Sequence, residues 1–411
     1  MSTPATDDRQ ALTIFLRSGF VWQLCWSSYW TLFFLRVVVD VGLDPLQLLL
    51  LGTTKEITIL LTEIPTGVVA DIRSRRLSVI LAFAICGVAT IGAGLASGFG
   101  ALVVTQAVWA FGTTFRSGAE TAWFTDEVDS LELVDQALPR RGQVQSIGST
   151  VGLLGTAGLA AVAGLTTALV AVGVVLLVWA VYLRAAMPET GFERHDASAR
   201  DRFGQLLGEG FAAARLPGLR VLLVAAVLAG FASEAVDRLS VARLDEIGLQ
   251  TQAIDPALIM GATAVLQSLG AAALLVTIGA GLAGRRYVEA LVVLHVVTTA
   301  GVAVLAGVDL LWVALAGILA SGMVREIARG TVVVGWTNHF TDKGNRATVH
   351  SFAGQAGSLG EISGGIGLGL LARTSGISAA LAASAAVYLL AAGVASLGRT
   401  RWDRGAVSAA T

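Results

Sequence analysis

Apolar stretches long enough to cross a lipid bilayer recur along the whole chain, separated by short polar segments. A transmembrane helix needs about 20 mostly apolar residues, and we identify twelve such stretches. We therefore predict an all-α, polytopic membrane protein with twelve transmembrane helices. The predicted spans cover residues 11–39, 46–70, 77–97, 101–125, 143–165, 167–184, 218–242, 256–283, 287–305, 308–336, 349–371 and 377–398.

The longest break between spans runs from Arg184 to Pro217 and divides the chain into two groups of six. Within it, residues from Asp196 to Leu216 have the spacing of an amphipathic helix lying on the inner membrane surface. We therefore predict an N-terminal six-helix bundle at 1–183, a cytoplasmic linker at 184–217 and a C-terminal six-helix bundle at 218–411.

The two halves resemble each other in sequence. Arg116 and Trp123 in the fourth span keep their spacing as Arg329 and Trp336 in the tenth. Other matched positions, such as Arg141 and Arg346, follow in the same order. Two similar six-helix halves are typical of secondary transporters, which bind substrate between the halves near the membrane midplane.

Composition and charge exclude several other classes. Hydrophobic residues make up 55% of the chain and charged residues 14%, whereas a soluble domain has about 25% charged residues. The net charge of −1 gives no reason to expect a nucleic-acid partner. Most basic residues fall in segments that are cytoplasmic if the N-terminus is inside, so we expect both termini to be cytoplasmic. No cleavable signal peptide is expected.

The loop between the second and third spans reads Gly-Val-Val-Ala-Asp-Ile-Arg-Ser-Arg-Arg from Gly67 to Arg76. It resembles the signature loop of the major facilitator superfamily, from which it departs at Ile72 and Ser74. The preceding Glu-Ile-Pro-Thr resembles the version found in bacterial drug-efflux-type members. The resemblance implies a gating motif formed by Glu63, Gly67, Asp71, Arg73, Arg75 and Arg76.

The resemblance also implies the major facilitator fold, with two pseudo-symmetric bundles that rock about a central site. In that family the loop aspartate, here Asp71, lies near the N-terminus of span 11 and holds the halves together. Spans 1, 4, 7 and 10 line the cavity in the family. Candidate cavity residues on spans 4, 7 and 10 are Arg116, Glu120, Glu234, Asp237, Arg325, Glu326 and Arg329.

Charged residues inside the spans need compensation, because leaving them all unpaired would cost on the order of 30 kcal/mol. Helical spacing predicts three pairs within single helices. These pairs join Arg116 to Glu120, Glu234 to Arg238, and Glu326 to Arg329. Such pairs are either structural or part of the substrate pathway.

Glu361 differs because its helical neighbours in span 11 are glycines and a serine. It must meet a cation from another helix or carry a proton, which makes it our first proton-coupling candidate. Glu56 in span 2 is the second, since Lys55 points roughly 100° away from it on an ideal helix. The alternative for both is a buried salt bridge between helices.

Aromatic residues follow helical spacing along one side of span 1, namely Trp22, Trp26, Tyr29 and Trp30. They either form a wall for a large apolar substrate or face lipid. His295 stands alone in the apolar ninth span, where we expect it to be a core residue.

Together these features predict a secondary transporter that works by alternating access and exports small apolar or amphiphilic compounds. We expect no cofactor, a proton gradient as the driving force, and a monomer in the bacterial plasma membrane in contact with lipid. Nutrient uptake, by proton symport or facilitated diffusion, is the alternative within this class. A membrane receptor or enzyme on the same scaffold is the alternative from another class.

Overall fold

The computed structural model describes residues 6–128, 130–192, 215, 217–279, 281–341 and 346–401. Within these residues the chain is helical and contains no strand. The helices of the first half are α1 (Thr6–Val39), α2 (Pro45–Ile72), α3 (Arg75–Leu95), α4 (Phe99–Thr114), α5 (Ala119–Glu127), α6 (Leu131–Ala163) and α7 (Leu165–Ala186).

The second half has a comparable series of helices. They are α8 (Pro217–Glu246), α9 (Pro256–Gly279), α10 (Arg286–Gly307), α11 (Leu311–Ile327), α12 (Val333–His339), α13 (Arg346–Ser375), α14 (Ile377–Ser396) and the short α15 (Gly398–Arg401). A 3-10 turn (Leu249–Thr251) follows α8, and a π-helical turn (Ala328–Val332) joins α11 to α12. Each of the twelve predicted spans coincides with one helix or with two consecutive helices, which confirms the all-α, twelve-span fold.

Eight helical segments in the described chain are long and apolar enough to cross a membrane. The helices α1, α2 and α13 fall outside that set and carry several charged residues, while α4 is only 16 residues long. Charged residues within a predicted span therefore lower its mean hydropathy.

Three predicted elements need correction or fall outside the structure. Span 5 was expected to begin at residue 143, but α6 begins at Leu131 and includes Pro139. Span 4 was expected to be continuous, but it breaks between α4 and α5, where Gly118 has a φ of 76° that favours glycine. The amphipathic helix expected from Asp196 to Leu216 lies outside the described residues, apart from Arg215 in a turn.

Contacts divide the described residues into two compact units. Unit 1 takes those within Met1–Gly42, Ile57–Ala199 and Ala253–Val265, and unit 2 those within Leu43–Glu56, Arg200–Gln252 and Leu266–Thr411. The start of α2 thus belongs to unit 2 and the start of α9 to unit 1. The division by chain order at residues 183 and 218 stays a prediction.

Each unit contains a pair of helices that meet through glycines. In unit 1, a Cβ atom on Gly148 of α6 would lie 2.5 Å from the carbonyl oxygen of Phe20 in α1. In unit 2, a Cβ atom on Gly364 of α13 would lie 2.9 Å from the Cα atom of Phe231 in α8. These glycines let the two backbones approach closely.

An arginine near the end of α1 and another near the end of α8 bind carbonyl groups in equivalent ways. Arg36 Nη1 donates a hydrogen bond of 3.0 Å to the Ala93 carbonyl in the last turn of α3. Arg243 Nε donates one of 3.2 Å to the Leu305 carbonyl in the last turn of α10. Cations are favoured at helix C-termini, and the shared arrangement agrees with the sequence repeat.

Candidate functional site

Unit 2 contains a network of charged side chains contributed by four parts of the chain. It has four cationic and four carboxylate groups, so its formal charge is zero. Its members are Lys55 and Glu56 on α2, Glu234, Asp237 and Arg238 on α8, Arg325 and Arg329 on α11 and the π turn, and Glu361 on α13.

Lys55 lies between two carboxyl groups at one end of this network. Its Nζ atom contacts Glu56 and lies 4.0 Å from Oε2 of Glu361. Ser358 Oγ donates a hydrogen bond of 2.8 Å to Glu56. The expectation that Lys55 would not partner Glu56 was wrong, because the long lysine side chain can bend across the angle that separates adjacent helical positions. Glu361 therefore does meet a cation from another helix, but it shares that cation with Glu56.

Asp237 occupies the other end of the network and faces two arginines. Arg325 contacts its Oδ1 atom, and Nη2 of Arg329 lies 3.7 Å from its Oδ2 atom. Glu326 was expected to pair with Arg329, but among the described residues no ion pair joins them, and Glu326 is exposed. The π turn that begins at Ala328 displaces Arg329 from its ideal position relative to Glu326.

The expected pair between Glu234 and Arg238 is present. Arg238 Nε donates a hydrogen bond of 3.0 Å to Glu234, which is fully buried. A Cβ atom on Gly52 of α2 would collide with both side chains. Gly52 therefore leaves the space that this ion pair occupies, a role that no sequence pattern indicated.

A cavity of about 340 Å³ lies within unit 2, beside this network. Most of its wall is apolar and comes from α8, α10, α12 and α13. Its polar lining consists of His295, Arg329, His350 and Glu361, and Gly354 and Gly357 line it from α13. His295, expected to be a core residue, is indeed 5% exposed, but it also borders this space.

A second cavity, of about 380 Å³, lies within unit 1. Trp22, Trp26, Glu63 and Arg116 contribute to its wall. The guanidinium of Arg116 stacks over the Trp22 ring at 4.4 Å. Two of the four aromatic residues predicted on span 1, Trp22 and Trp26, thus border this cavity.

The aromatic residues of α1 also pack on one another within unit 1. The rings of Trp26, Tyr29 and Trp30 each lie 4.9 Å from the ring of Trp109 in α4. Tyr29 is buried and accepts a hydrogen bond of 2.6 Å from Gln106. Trp109 is the centre of this cluster, and the sequence did not single it out because its contacts come from another helix.

The expected pair between Arg116 and Glu120 is present at 2.5 Å, across the break that separates α4 from α5. Arg141 of α6 contacts the same carboxylate oxygen. The sequence reasoning placed Arg141 in a cytoplasmic segment and missed this contact. Glu120 is 2% exposed, so two arginines compensate one buried carboxylate.

Residues of the predicted gating motif form a set of polar contacts within unit 1. Arg75 contacts Asp126 of α5, donates a hydrogen bond of 3.0 Å to the Ala122 carbonyl, and lies 3.8 Å from Asp71. Glu63 accepts a hydrogen bond of 3.2 Å from Ser117. The expected contact of Asp71 with span 11 stays a prediction.

The start of α3 is held by a residue that sequence reasoning missed. Glu189, which follows α7, accepts hydrogen bonds from Ser74 Oγ and from the backbone N–H of Arg76, at 2.7 and 2.9 Å. A carboxylate is favourable at a helix N-terminus. Arg73 and Gly67 lie on either side of the end of α2, where a Cβ atom on Gly67 would meet nothing within 4 Å.

Twelve helical spans, two halves with matching sequence positions, and ion pairs within those spans are the features of an integral membrane transporter. The family model of the Major Facilitator Superfamily matches residues 15–365, and the chain belongs to that superfamily. No curated protein sequence matches the chain.

Solved structures with the same fold include transporters of several kinds. A bacterial homologue of the human lysosomal transporter Spinster has a TM-score of 0.75 at 13% identity, covering 99% of this chain and 100% of that one. The nucleoside transporter NupG, as a variant, has a TM-score of 0.75 at 13% identity, with coverages of 96% and 99%. A variant of the peptide transporter POT has a TM-score of 0.76 at 12% identity, with coverages of 96% and 95%. Similarity at this level of identity shows the fold alone.

Proposed function

We propose that this transporter exports small apolar or amphiphilic compounds in exchange for protons, and that Glu361 is the proton-coupling group. The observation that carries the proposal is that one lysine faces two carboxyl groups inside the transmembrane region. Lys55 contacts Glu56 and lies 4.0 Å from Glu361.

The charges explain why a proton belongs at this position. One ammonium group compensates only one of two ionised carboxylates, and an uncompensated carboxylate inside a membrane protein is costly. Glu56 and Glu234 add repulsion at Glu361, while Arg329, which lines the same cavity, adds attraction. A proton on Glu361 removes the excess negative charge at the Lys55 end of the network, and a cationic group of a substrate does the same.

Competition between a proton and a substrate for one carboxyl group produces exchange. Either a proton or the cationic group of a substrate neutralises Glu361. The transporter can then change conformation with either one bound, so it carries protons in one direction and substrate in the other. Protons entering down their gradient then drive substrate outward. The likeness of the Glu63–Thr66 segment to drug-efflux-type members supports the outward direction.

The same proposal includes the cellular setting. The concentration of arginines in segments expected to face the cytoplasm supports cytoplasmic termini. The efflux-type motif supports a bacterial plasma membrane, where a proton gradient is available.

The test uses an efflux-deficient bacterial host and a panel of amphiphilic fluorescent dyes. Cells with the wild-type protein are compared with cells carrying Glu361→Gln, with and without a protonophore. The matched control is Glu289→Gln, since Glu289 is an exposed carboxylate in the first turn of α10 and lies outside the network. Membrane expression is measured for each variant.

We expect wild type and Glu289→Gln to lower dye accumulation, and both the protonophore and Glu361→Gln to abolish that effect. In proteoliposomes with a pH-sensitive dye inside, Glu361→Gln should retain exchange of substrate for substrate but lose proton movement. Unchanged, gradient-driven export by Glu361→Gln would refute the role of this residue. Proton-dependent accumulation, in place of export, would refute the direction.

A further inference from the structure

Two oppositely charged side chains, Arg329 and Glu361, line the cavity of unit 2. Each shares its ion-pair partner with another side chain that lies closer to that partner. Arg329 shares Asp237 with Arg325, which makes the closer contact. Glu361 shares Lys55 with Glu56, which again makes the closer contact. In the described part of the chain Arg329 and Glu361 form no ion pair with each other.

The two charged groups are accessible from the cavity. The side chain of Arg329 is 53% exposed and that of Glu361 is 19% exposed, and both line the same space of about 340 Å³. Cavities that bind small organic molecules start at about 300 Å³. A compound the size of a small drug therefore fits in the space that both groups line.

His295 provides an independent indication of a ligand. It is 5% exposed, it borders the cavity, and among the described residues its Nδ1 atom has no hydrogen-bond partner. Buried polar atoms normally have a partner in the protein, a water molecule or a ligand. A polar group of a bound molecule would supply it.

The remaining wall is suited to an apolar body. Leu222, Leu291 and Val333 line the cavity from three different helices. On α13, which also lines the cavity, a Cβ atom on Gly354 or Gly357 would meet nothing within 4 Å. The two glycines thus keep space open next to α13.

From these observations we infer that the cavity of unit 2 binds amphiphilic zwitterions, with the anionic group at Arg329 and the cationic group at Glu361. A simple cation would be repelled by Arg329 and a simple anion by Glu361, whereas a zwitterion satisfies both. The inference rests on the proposed function in one respect, because the cationic group of the substrate is what competes with the proton at Glu361.

The test compares a zwitterionic compound with two close derivatives, each of which lacks one of its two charges. Norfloxacin is zwitterionic, its ethyl ester is cationic, and its N-acetyl derivative is anionic. Binding of each to the purified protein is measured by equilibrium dialysis, which does not depend on transport. The variants are Arg329→Gln, Glu361→Gln and the cavity-filling Gly354→Leu. The control is Gly393→Leu, since Gly393 is an exposed glycine in α14 with open space around it.

We expect the zwitterion to bind about 10- to 100-fold more tightly than either derivative, as expected for one added charge-assisted interaction. Arg329→Gln should remove this advantage over the cationic ester, and Glu361→Gln the advantage over the anionic derivative. Gly354→Leu should weaken binding of all three, and Gly393→Leu should change none.

Equal affinity for the three forms, no binding of the zwitterion, or insensitivity to Arg329→Gln would overturn the inference. Failure of the proposed function would give a different experimental result. If the zwitterion binds as expected but never exchanges for protons in proteoliposomes, the site is correct and the proton-coupled export is not.

Discussion

The glycine contact between α13 and α8 gives a prediction whose size follows from the structure. A Cβ atom on Gly364 would lie 2.9 Å from the Cα atom of Phe231 and closer still to its carbonyl oxygen. Carbon atoms in good contact are about 3.5–4.0 Å apart. Because the atoms that collide are backbone atoms, Gly364→Ala can be accommodated only if the two helices move apart.

Such overpacking costs about 1–3 kcal/mol, and the separation weakens neighbouring contacts along the same pair of helices. The gain in helix propensity from glycine to alanine offsets about 1 kcal/mol. We therefore expect Gly364→Ala to lower the free energy of unfolding by about 2 kcal/mol. The matched variant Gly357→Ala adds a Cβ atom to the same helix where nothing lies within 4 Å, so it should be neutral or stabilising by up to about 1 kcal/mol.

The assay is thermal unfolding of the detergent-solubilised variants, followed by size-exclusion chromatography after heating. A difference of about 2–3 kcal/mol between the two variants corresponds to a difference in Tm of about 4–12 °C for a domain of this size. If Gly357→Ala lowers Tm as much as Gly364→Ala does, close approach of the backbones is not the reason for the glycines, and the reasoning fails.

Two further predictions concern buried groups. Glu234→Leu alone should destabilise the protein by about 3–5 kcal/mol, because it leaves Arg238 buried without its 3.0 Å partner. The double replacement of Glu234 and Arg238 by leucine should recover most of that loss in the same heating assay, and no recovery would argue against the pair as the cause. Cys25 and Cys86 are free and buried, so a maleimide should label the native protein slowly and the heated protein rapidly. Fast labelling of the native protein would contradict their burial.

Much of the fold could be predicted from the sequence because the bilayer imposes a simple length requirement on apolar stretches. The predicted helix boundaries are wrong where the helix is not set by an apolar stretch alone. The beginning of α6 carries charges and Pro139, so its apolar signal starts a dozen residues after the helix does. The break at Gly118 and the π turn at Ala328 depend on local backbone geometry that a hydropathy window cannot register.

The candidate site was only partly accessible from the sequence. The spacing of Glu234 and Arg238 encodes a contact within one helix, and the structure contains it. Contacts between different helices follow no fixed spacing along the sequence. The partners of Asp237 and Glu361 come from positions 88 and 306 residues away, Arg325 and Lys55, so only the fold brings them together.

The choice of basic residue in the network has a chemical consequence. Lysine occurs at two positions in the chain, and within the described residues Lys55 is the only one. A guanidinium is a planar fork with a preferred geometry toward carboxylates, and Arg238 and Arg325 each contact one oxygen of a carboxylate here. An ammonium group on a flexible stem has no preferred plane and can turn from one carboxylate to another with little loss of hydrogen-bond geometry. Within the described residues, the network thus combines arginines with a single lysine, whose ammonium group can turn between Glu56 and Glu361. Replacing Lys55 by arginine preserves the charge but removes that freedom of rotation.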